Sequence, residues 1–461
     1  MARALTACGG FGAENGQMSG NAPSRVIPAV LIGSTTEFYD FFIYGTAAAL
    51  VFSRTFFPHL TPVNGLLAAF SVYAVGFLGR PTGAVVFGHL GDRAGRKRVL
   101  IGSLLLMGLS TTAVGLLPGY AEWGIWAPIT LTGLRFLQGV GLGGEFGGAA
   151  LLAIEHAPPG RRGRYGAYVQ LGPCLGFAVA TGLFWSLSSF LSEADFQAWG
   201  WRLPFLASSG LVVLGLVVRM RVEESPAFLA TAAARAAGPS RPGGDRAPLV
   251  TVLRQHLRLL LLGAGTVISG SVFFYVATTW ALAHATGDLH MPRTRMLALL
   301  LVANLILGAA TYGGALLSDR YGRLPVIRTG MVAALLWALP LVPLLDTARP
   351  SLVLLGLAGA MVALGLLHGP IPAFLPGLFP AEVRCSGSSV SYNLGSLTGG
   401  ALAPLIATRL TASLGSYAVG WYLLAACCCS LLCLRALPKR ANDAEAVELL
   451  AGAEAISYSG Q

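Results

Sequence analysis

The residues best suited to chemistry lie inside an apolar stretch near the start of the chain, TTEFYDFFIYG at residues 35–45. Glu37, Asp40 and Tyr44 are spaced i, i+3 and i+7, which places them on one face of a helix. Carboxylates in lipid-spanning segments are costly and mark proton or substrate pathways. The spacing therefore predicts a helix face that lines a proton or substrate pathway.

A second pair of polar residues, Arg135 and Gln138, shares a face of a later apolar segment. We expect Asp40 and Arg135 to lie at comparable depth. A nearby arginine favours a charged aspartate, whereas burial favours the neutral form. Our hypothesis is that Asp40 takes up and releases the proton with Arg135 as its partner, and that protonation frees Arg135 to attract an anionic substrate. The alternative is a permanent ion pair that joins the two helices.

Charged residues deep inside apolar segments are confined to the first half of the chain. Each costs about 2.5–3.5 kcal/mol at a helix centre, so a set of five is not accidental. For the two glutamates, a second proton site, a substrate contact and a packing role all stay open. For Arg80, extension toward the cytoplasmic interface and a functional role are both open. The five are Glu37, Asp40, Arg80, Arg135 and Glu145.

The composition is that of a polytopic membrane protein. Of 461 residues, 54% are hydrophobic and 11% are charged, against about 25% charged in a soluble domain. The cysteines and histidines lack metal-site spacing, so we expect no metal. The net charge of +11 is spread over loops without a basic patch, which argues against nucleic acid as a partner.

Apolar segments of about 20 residues, the length that crosses a bilayer, predict about twelve helices. Lys and Arg number 23 in the loops of one side and 6 in the opposite loops. The positive-inside rule then places both termini in the cytoplasm. The predicted spans are 26–52, 64–90, 97–117, 124–153, 165–190, 201–218, 257–284, 295–318, 324–345, 351–378, 387–410 and 415–436.

The chain divides into two similar halves. GHLGDRAGRKRVL at residues 88–100 and GALLSDRYGRLPVI at 314–327 place Asp92 and Asp319 227 positions apart. Gln170 and Asn393 are 223 apart in matching segments. Such duplications place a substrate between the halves. The predicted parts are a disordered cytoplasmic N-terminus 1–25, a six-helix bundle 26–218, a cytoplasmic linker 219–256, a second bundle 257–436 and a cytoplasmic tail 437–461.

Several segments resemble a known family in order along the chain. GHLGDRAGRK and SDRYGR look like the loop signature of the major facilitator superfamily. More specifically, EFYDFFIYG, RFLQGVGLGGEFGGA, EHAPPGRRG, WGWRLPF, EESPAF and FPAEVRCSGSSVSYNLGSLTGG resemble its metabolite:H+ symporter family. Phe38 and Phe146 stand where that family usually has Trp, which concerns ligand fit and not membership. The resemblance covers residues 26 to 436.

The resemblance implies a site and gates. Proton coupling would involve Asp40, Arg135, Glu37 and Glu145, and substrate binding Tyr39, Tyr44, Arg135, Gln138, Gln170, Tyr392 and Asn393. The alternative for these polar residues is a hydrogen bond to a neighbouring helix. Cytoplasmic ion pairs would latch one conformation, whereas the alternative for the basic residues is positive-inside topology alone. The gating set is Gly88, Asp92, Arg93, Gly95, Arg96, Glu155, Glu224, Asp319, Arg320, Gly322 and Arg323.

The fold and function that follow are those of an all-α major facilitator protein in the inner or plasma membrane, a monomer in contact with lipid. It is not an enzyme and has no cofactor; a proton gradient drives symport of a small organic acid or zwitterion. Family members take oxo- and tricarboxylates, shikimate-like acids, and proline or betaine. A shikimate-like or di- or tricarboxylic acid is favoured. Alternatives are an efflux pump, an osmolyte symporter, and a non-transporting sensor.

The glycines of GVGLGG at residues 139–144 match the GxGxxG pattern of dinucleotide-binding folds. That motif requires a strand before it and a helix after it. Here the segment is apolar throughout, so we interpret the glycines as sites of close helix packing.

Overall fold

A computed structural model describes residues 22–94, 96–143, 157, 161–220, 248–380 and 383–438, without the side chains of 22–30, 84, 85, 88–100, 214, 218–220 and 248–251. Within these ranges the chain is helical and forms no strand. The described ranges contain twelve long helices. This confirms the fold class expected from the apolar segments.

The first six helices form one bundle. The first is extended by a π-helical turn, Ala48–Phe52, and a last turn, Ser53–Phe56. The six are α1 (Ala22–Ala47), α2 (Pro62–Ala94), α3 (Arg96–Leu116), α4 (Trp126–Leu142), α5 (Arg162–Phe190) and α6 (Leu203–Met220).

The other six helices form the second bundle. A π-helical turn, Val276–Trp280, extends its first helix, and another, Leu397–Ala401, extends its fifth. The helices are α7 (Leu257–Tyr275, continued to Gly287), α8 (Arg293–Tyr321), α9 (Arg323–Asp346), α10 (Pro350–His368, then Ile371–Gly377), α11 (Arg384–Ser396, continued by Ala403–Leu414) and α12 (Tyr417–Arg435).

The two bundles repeat the same helix pairings. In the first, α1 packs on α5, α2 on α4, and α3 on both α4 and α6. In the second, α7 packs on α11, α8 on α10, and α9 on both α10 and α12. Every pairing recurs with a shift of six helices, which is the pseudo-symmetry that the sequence echoes predicted. The bundles meet mainly along α5 and α8.

Eight helices among the described residues are long and apolar enough to cross a membrane by length and composition alone. They include α2, α5 to α10 and α12. The helix α1 carries Glu37 and Asp40, and α3 begins with three basic residues. A lipid environment explains why large apolar side chains such as Leu336 and Leu432 face outward at 70% and 64% exposure.

Glycines let α2 and α4 approach at backbone distance. A Cβ on Gly79 would lie 2.8 Å from the Val140 nitrogen, and a Cβ on Gly83 would overlap the carbonyl oxygen of the same residue. A Cβ on Gly139 would overlap the carbonyl oxygen of Gly76. The described glycines of GVGLGG therefore serve close helix packing, as interpreted from the sequence. This close crossing brings the polar residues of α4 against α1 and α2.

The halves touch at both ends of the bundle. On the face where α5 begins and α8 ends, which we call the termini face, Asp319 accepts hydrogen bonds from the backbone N–H groups of Gly163 (2.7 Å) and Arg164 (3.0 Å). On the opposite face, Arg293 forms an ion pair with Glu193. Each of these contacts joins one half to the other.

Candidate functional site

Asp40 lies in the centre of the first bundle and is fully buried. Its carboxylate accepts one hydrogen bond from the Thr111 hydroxyl on α3 (3.2 Å) and another from the Ser208 hydroxyl on α6 (2.5 Å). Three helices thus meet at one carboxyl group. Hydroxyls can donate to a carboxylate or accept from a neutral carboxyl, so both protonation states can be hydrogen-bonded here.

Gln138 connects Asp40 to Arg135. Its amide nitrogen donates to the backbone carbonyl of Asp40 (3.0 Å) and to the Thr111 hydroxyl (2.7 Å). Its amide oxygen accepts from the Arg135 guanidinium. The amide therefore links the Arg135 guanidinium to the backbone of Asp40 directly and to the Asp40 carboxyl through the Thr111 hydroxyl.

Asp40 and Arg135 do not form a direct ion pair in the described part of the chain, although both are buried in the same region. The hypothesis treated them as direct partners, and the alternative treated them as a permanent ion pair. In this conformation their link is indirect, through Gln138. Sequence spacing gives the face of a helix but not which of two polar neighbours takes the bond.

The guanidinium of Arg135 is enclosed by aromatic rings. Its Cζ lies 4.4 Å from the ring centroid of Phe41, 4.3 Å from that of Tyr44 and 4.8 Å from that of Tyr73. Such cation–π contacts contribute about 2 kcal/mol or more each when desolvated. The Arg135 Nε and Nη2 and the hydroxyls of Tyr44 and Tyr73 are buried, and none has a hydrogen-bond partner in the described ranges.

Arg80 lies in the same region and is 5% exposed. Its Cζ is 4.5 Å from the ring centroid of Phe41 and 4.6 Å from that of Phe77. The side chain does not extend to the interface, which was one of the two roles left open for it. The reason is that Phe41 and Phe77 offer ring faces on which a guanidinium can stack.

Tyr275 of α7 closes this region from the second bundle. Its ring packs against Phe77 (centroids 5.7 Å apart), Tyr73 (6.0 Å) and Phe41 (6.5 Å). The π-helical turn of α11 also reaches it, because a Cβ on Gly400 would lie 2.5 Å from the Tyr275 ring. The guanidinium region, formed by Arg80, Arg135 and these rings, thus lies where the halves meet. Tyr275 is not in the predicted binding set, because a lone tyrosine in an apolar helix carries no spacing signal.

The other predicted binding residues are placed more widely. Tyr39 is buried and donates to the carbonyl of Pro204 on α6 (2.7 Å), so its hydroxyl joins two helices. Gln170 reaches across the halves to the carbonyl of His368 (3.5 Å). Asn393 donates to Ser389 in its own helix (3.0 Å).

Tyr392 is half-buried beside the apolar core of the second bundle. Glu37 is buried on α1, three residues before Asp40. Tyr44 is the predicted residue that joins the guanidinium region directly, through its ring contact with Arg135. The structure therefore brings together Asp40, Tyr44, Arg135 and Gln138 from the predicted set.

Of the predicted gate residues, Asp319 makes the contact with the start of α5 described above. Gly322 has φ of 91°, a conformation that favours glycine, and it separates α8 from α9. Arg323 donates to the carbonyl of Ala373 on α10 (3.3 Å), and Arg320 lies over the Tyr321 ring at 5.2 Å.

The matching loop of the first half is only partly covered. Gly88, Asp92 and Arg93 lie in α2 and Arg96 begins α3, but their side chains are outside the described part. Gly95, Glu145, Glu155 and Glu224 lie outside the described residues. The predictions for these eight residues stay predictions.

Comparison with known proteins supports the fold and the transport class. The family model of the Major Facilitator Superfamily matches residues 30–404. The crystal structure of a D-xylose-proton symporter superposes with a TM-score of 0.69 at 18% sequence identity, over 90% of this chain and 97% of that one. At this identity the structural likeness concerns the fold alone.

Curated relatives are similar over nearly the whole chain. The inner membrane metabolite transport protein YhjE of Escherichia coli K12 is 43% identical over 421 residues, which is 90% of this chain and 94% of that protein. The shikimate transporter of the same strain is 36% identical over 91% of this chain and 95% of that protein, and the proline/betaine transporter of Salmonella typhimurium LT2 is 33% identical over 84% and 78%. The chain therefore belongs to the major facilitator superfamily, among its multi-pass membrane transporters of metabolites.

Proposed function

We propose that this transporter carries a small organic anion together with a proton, by alternating access. The observation that carries the proposal is a chain of hydrogen bonds from the buried Asp40 carboxyl through Thr111 and Gln138 to the Arg135 guanidinium. Among the described residues, that guanidinium has N–H groups without a hydrogen-bond partner. More than 90% of buried polar groups in proteins are hydrogen-bonded, so unpartnered ones at a half-to-half interface favour a polar ligand.

Gln138 gives the coupling a physical route. A negative charge on Asp40 holds the Gln138 amide with its nitrogen toward Asp40 and Thr111 and its oxygen toward Arg135. Protonation of Asp40 removes this charge and leaves a larger positive potential at Arg135. An anion then binds more tightly when the proton is present, which is what symport requires.

The relatives support the substrate class without fixing it. Two of them are a shikimate transporter and a proline/betaine transporter, named for an acid and for zwitterions. The excess of positive charge in the guanidinium region favours an acid over a zwitterion for this chain. The energy source in this proposal is a proton gradient, and no cofactor takes part.

The proposal includes a location and an orientation. It places the protein as a monomer in lipid in the inner or plasma membrane, with both termini in the cytoplasm. The support is the loop bias of 23 basic residues against 6. The inner membrane is also named for a relative that is 43% identical.

The test uses purified protein in proteoliposomes with a substrate chosen by thermal shift among shikimate, succinate, citrate and proline betaine. Asp40→Asn keeps the hydrogen-bonding shape but fixes the neutral form. We expect it to abolish accumulation driven by an imposed proton gradient and to retain counterflow exchange. The matched control is Asp195→Asn on the exposed surface, which should accumulate substrate like the wild type.

Accumulation by Asp40→Asn at the wild-type level would refute Asp40 as the proton carrier. Alternatively, a proton gradient directed into the vesicles drives substrate out of vesicles that contain the wild type. That result would identify proton-driven efflux and would refute symport.

A further inference from the structure

Arg80 has no role in the proton pathway just described, yet its burial is costly. Taking an isolated ion out of water is costly even after the protein relaxes. Its cation–π contacts with Phe41 and Phe77 offset part of this cost. Its Nε and Nη2 are buried and have no hydrogen-bond partner among the residues that the structure describes. Something other than packing has to account for a second guanidinium at this position.

The two guanidiniums share one aromatic ring. The Cζ of Arg80 lies 4.5 Å and that of Arg135 lies 4.4 Å from the centroid of Phe41. The two Cζ atoms are therefore at most 8.9 Å apart. At such a separation two positive charges repel each other appreciably in a medium of low dielectric constant.

Within the described part of the chain, six buried polar groups around this ring have no hydrogen-bond partner. Each arginine contributes its Nε and Nη2, and Tyr44 and Tyr73 each contribute a hydroxyl. The rings of the two tyrosines stack with centroids 6.0 Å apart, and both face Arg135. A native protein usually has only a few such groups per hundred residues, so this concentration in one place indicates a binding site.

Asp40 does not neutralise the two arginines directly. Its carboxylate accepts hydrogen bonds from the hydroxyls of Thr111 and Ser208. It forms no ion pair with Arg80 or Arg135 within the described ranges. The two guanidiniums thus retain donors for oxygen atoms that come from outside the chain.

We propose that Arg80 is a second substrate-binding residue and that the substrate is a dianion with two carboxylates, one held by Arg80 and the other by Arg135. Each guanidinium offers a planar pair of donors that fits a carboxylate. The Tyr44 and Tyr73 hydroxyls donate to the carboxylate at Arg135. The carbon skeleton lies against the aromatic rings. This inference rests on the proposed function, because it assigns the substrate class of the same site.

The same inference makes Arg80 the residue that distinguishes a dicarboxylate from a monocarboxylate. A monocarboxylate engages Arg135 and leaves Arg80 buried and unpaired. A dicarboxylate pairs both arginines and removes their mutual repulsion. Discrimination is strong when the wrong ligand leaves buried polar groups of the site unpaired.

The experiment measures binding to detergent-solubilised protein by thermal shift and calorimetry, without a membrane or a gradient. The ligands are pairs with one carbon skeleton and one or two carboxylates: butyrate and succinate, cyclohexanecarboxylate and cyclohexane-1,4-dicarboxylate, benzoate and terephthalate. We expect at least one diacid to bind the wild type tenfold or more tighter than its monoacid partner.

Two kinds of change locate the effect at Arg80. Arg80→Gln is expected to remove the preference for the diacid and to leave monoacid affinity within about threefold. Arg80→Lys keeps the charge and loses the paired donors, so an intermediate preference is expected. The control is Arg54→Gln at an exposed arginine beyond the π-helical turn of α1, which should behave like the wild type.

A third change leaves the protein intact and so does not depend on how well a variant folds. The monomethyl ester of the preferred diacid should bind the wild type at least tenfold more weakly than the diacid. The proposal is overturned if no diacid is preferred, if the ester binds as well as the diacid, or if Arg80→Gln weakens monoacid and diacid equally. The last result would mean that both arginines hold one carboxylate.

The outcomes separate this inference from the proposed function. Binding of diacids that depends on Arg80, together with uptake that is insensitive to the proton gradient, would support the substrate class and refute symport. Gradient-driven uptake of monoacids without any preference for diacids would support symport and refute the dianion as substrate.

Discussion

At the scale of single residues, the proton site is built from hydroxyls and an amide. The Asp40 carboxylate accepts from Thr111 and Ser208, and Gln138 connects Thr111 and the Asp40 carbonyl to Arg135. A direct ion pair would resist separation, whereas an amide bridge transmits a change of charge and can be rearranged at little cost. The coupling therefore depends on a residue that carries no charge.

Replacing that amide should uncouple proton and substrate. Gln138→Leu removes the bonds to Arg135, Thr111 and the Asp40 carbonyl, so we expect gradient-driven accumulation to fall at least tenfold while counterflow exchange persists. Thermal unfolding should also show a loss of about 1–3 kcal/mol, the usual cost of leaving buried partners unsatisfied.

The control for this variant is Gln255→Leu. Gln255 is exposed and lies two residues before α7, away from the proton site and from both contacts between the halves. Normal accumulation by Gln138→Leu would show that Asp40 and Arg135 communicate without the amide.

Sequence reasoning reached part of this site. The spacing of Asp40 and Tyr44, and that of Arg135 and Gln138, gave the correct helix faces because side chains three, four or seven residues apart stack on a helix. It could not give Ser208, since a serine in an apolar helix is usually bonded to its own backbone. Side-chain partners between helices depend on tertiary packing, which local periodicity does not encode.

At the scale of helices, the close crossing of α2 and α4 sets the position of Arg135. A Cβ on Gly76 would lie 2.9 Å from the Arg135 Cζ, and one on Gly139 would overlap the backbone of Gly76. Glycine is therefore required for packing at these positions and not for flexibility. The same crossing leaves Gly133, one and a half turns before Gly139 on α4, in open space.

Two alanine substitutions on α4 should have opposite effects. Gly139→Ala introduces a clash with α2, and we expect it to destabilise the protein and reduce uptake because Arg135 is displaced. Gly133→Ala meets no atom within 4 Å and should stabilise the helix by up to about 1 kcal/mol. Thermal unfolding in detergent measures both. Equal effects of the two substitutions would show that the α2–α4 distance is not fixed by these glycines.

The helices themselves were the most predictable feature. Each predicted span overlaps one of the twelve observed helices, because a lipid-exposed backbone must bond within its own segment and so leaves long uninterrupted apolar runs. The π-helical turns were not predicted, since one extra residue in a turn leaves hydrophobicity unchanged and only shifts its phase.

At the scale of the whole molecule, both ends of the bundle hold the halves together. Asp319 binds the first N–H groups of α5, where the positive end of the helix dipole favours a carboxylate. Arg293 pairs with Glu193 at the other end and lies 4.0 Å from the Phe196 ring centroid. A transporter that alternates has to break one of these contacts at a time.

Removing one contact should bias the conformation. We expect Asp319→Ala to open the termini face, because the N–H groups of Gly163 and Arg164 lose their acceptor. Spin labels on Arg161→Cys and Arg320→Cys, in a background without native cysteines, would report a shift to longer distances. Thr329→Ala is the control, since this exposed hydroxyl bonds only within α9. An unchanged distance distribution would exclude Asp319 as a contact that holds this face closed.

The duplication and the apolar composition were enough to predict two bundles of six helices. They could not predict which ends are in contact, because both conformations of an alternating transporter satisfy the same composition and repeat. The contacts that decide this, such as that of Asp319 with α5, join residues more than 150 positions apart.

The π-helical turns have a consequence for how such a molecule moves. Val276–Trp280 in α7 begins 228 positions after Ala48–Phe52 in α1, close to the repeat offset of the sequence. Leu397–Ala401 in α11 begins 224 positions after Pro173, which lies inside α5. A π-helical turn has one extra residue, and a turn with a proline lacks one hydrogen-bond donor, so a helix bends more easily at either. Both halves of the duplicated six-helix unit thus have such turns at matching positions. We therefore expect the two halves to bend at the same depth in the membrane.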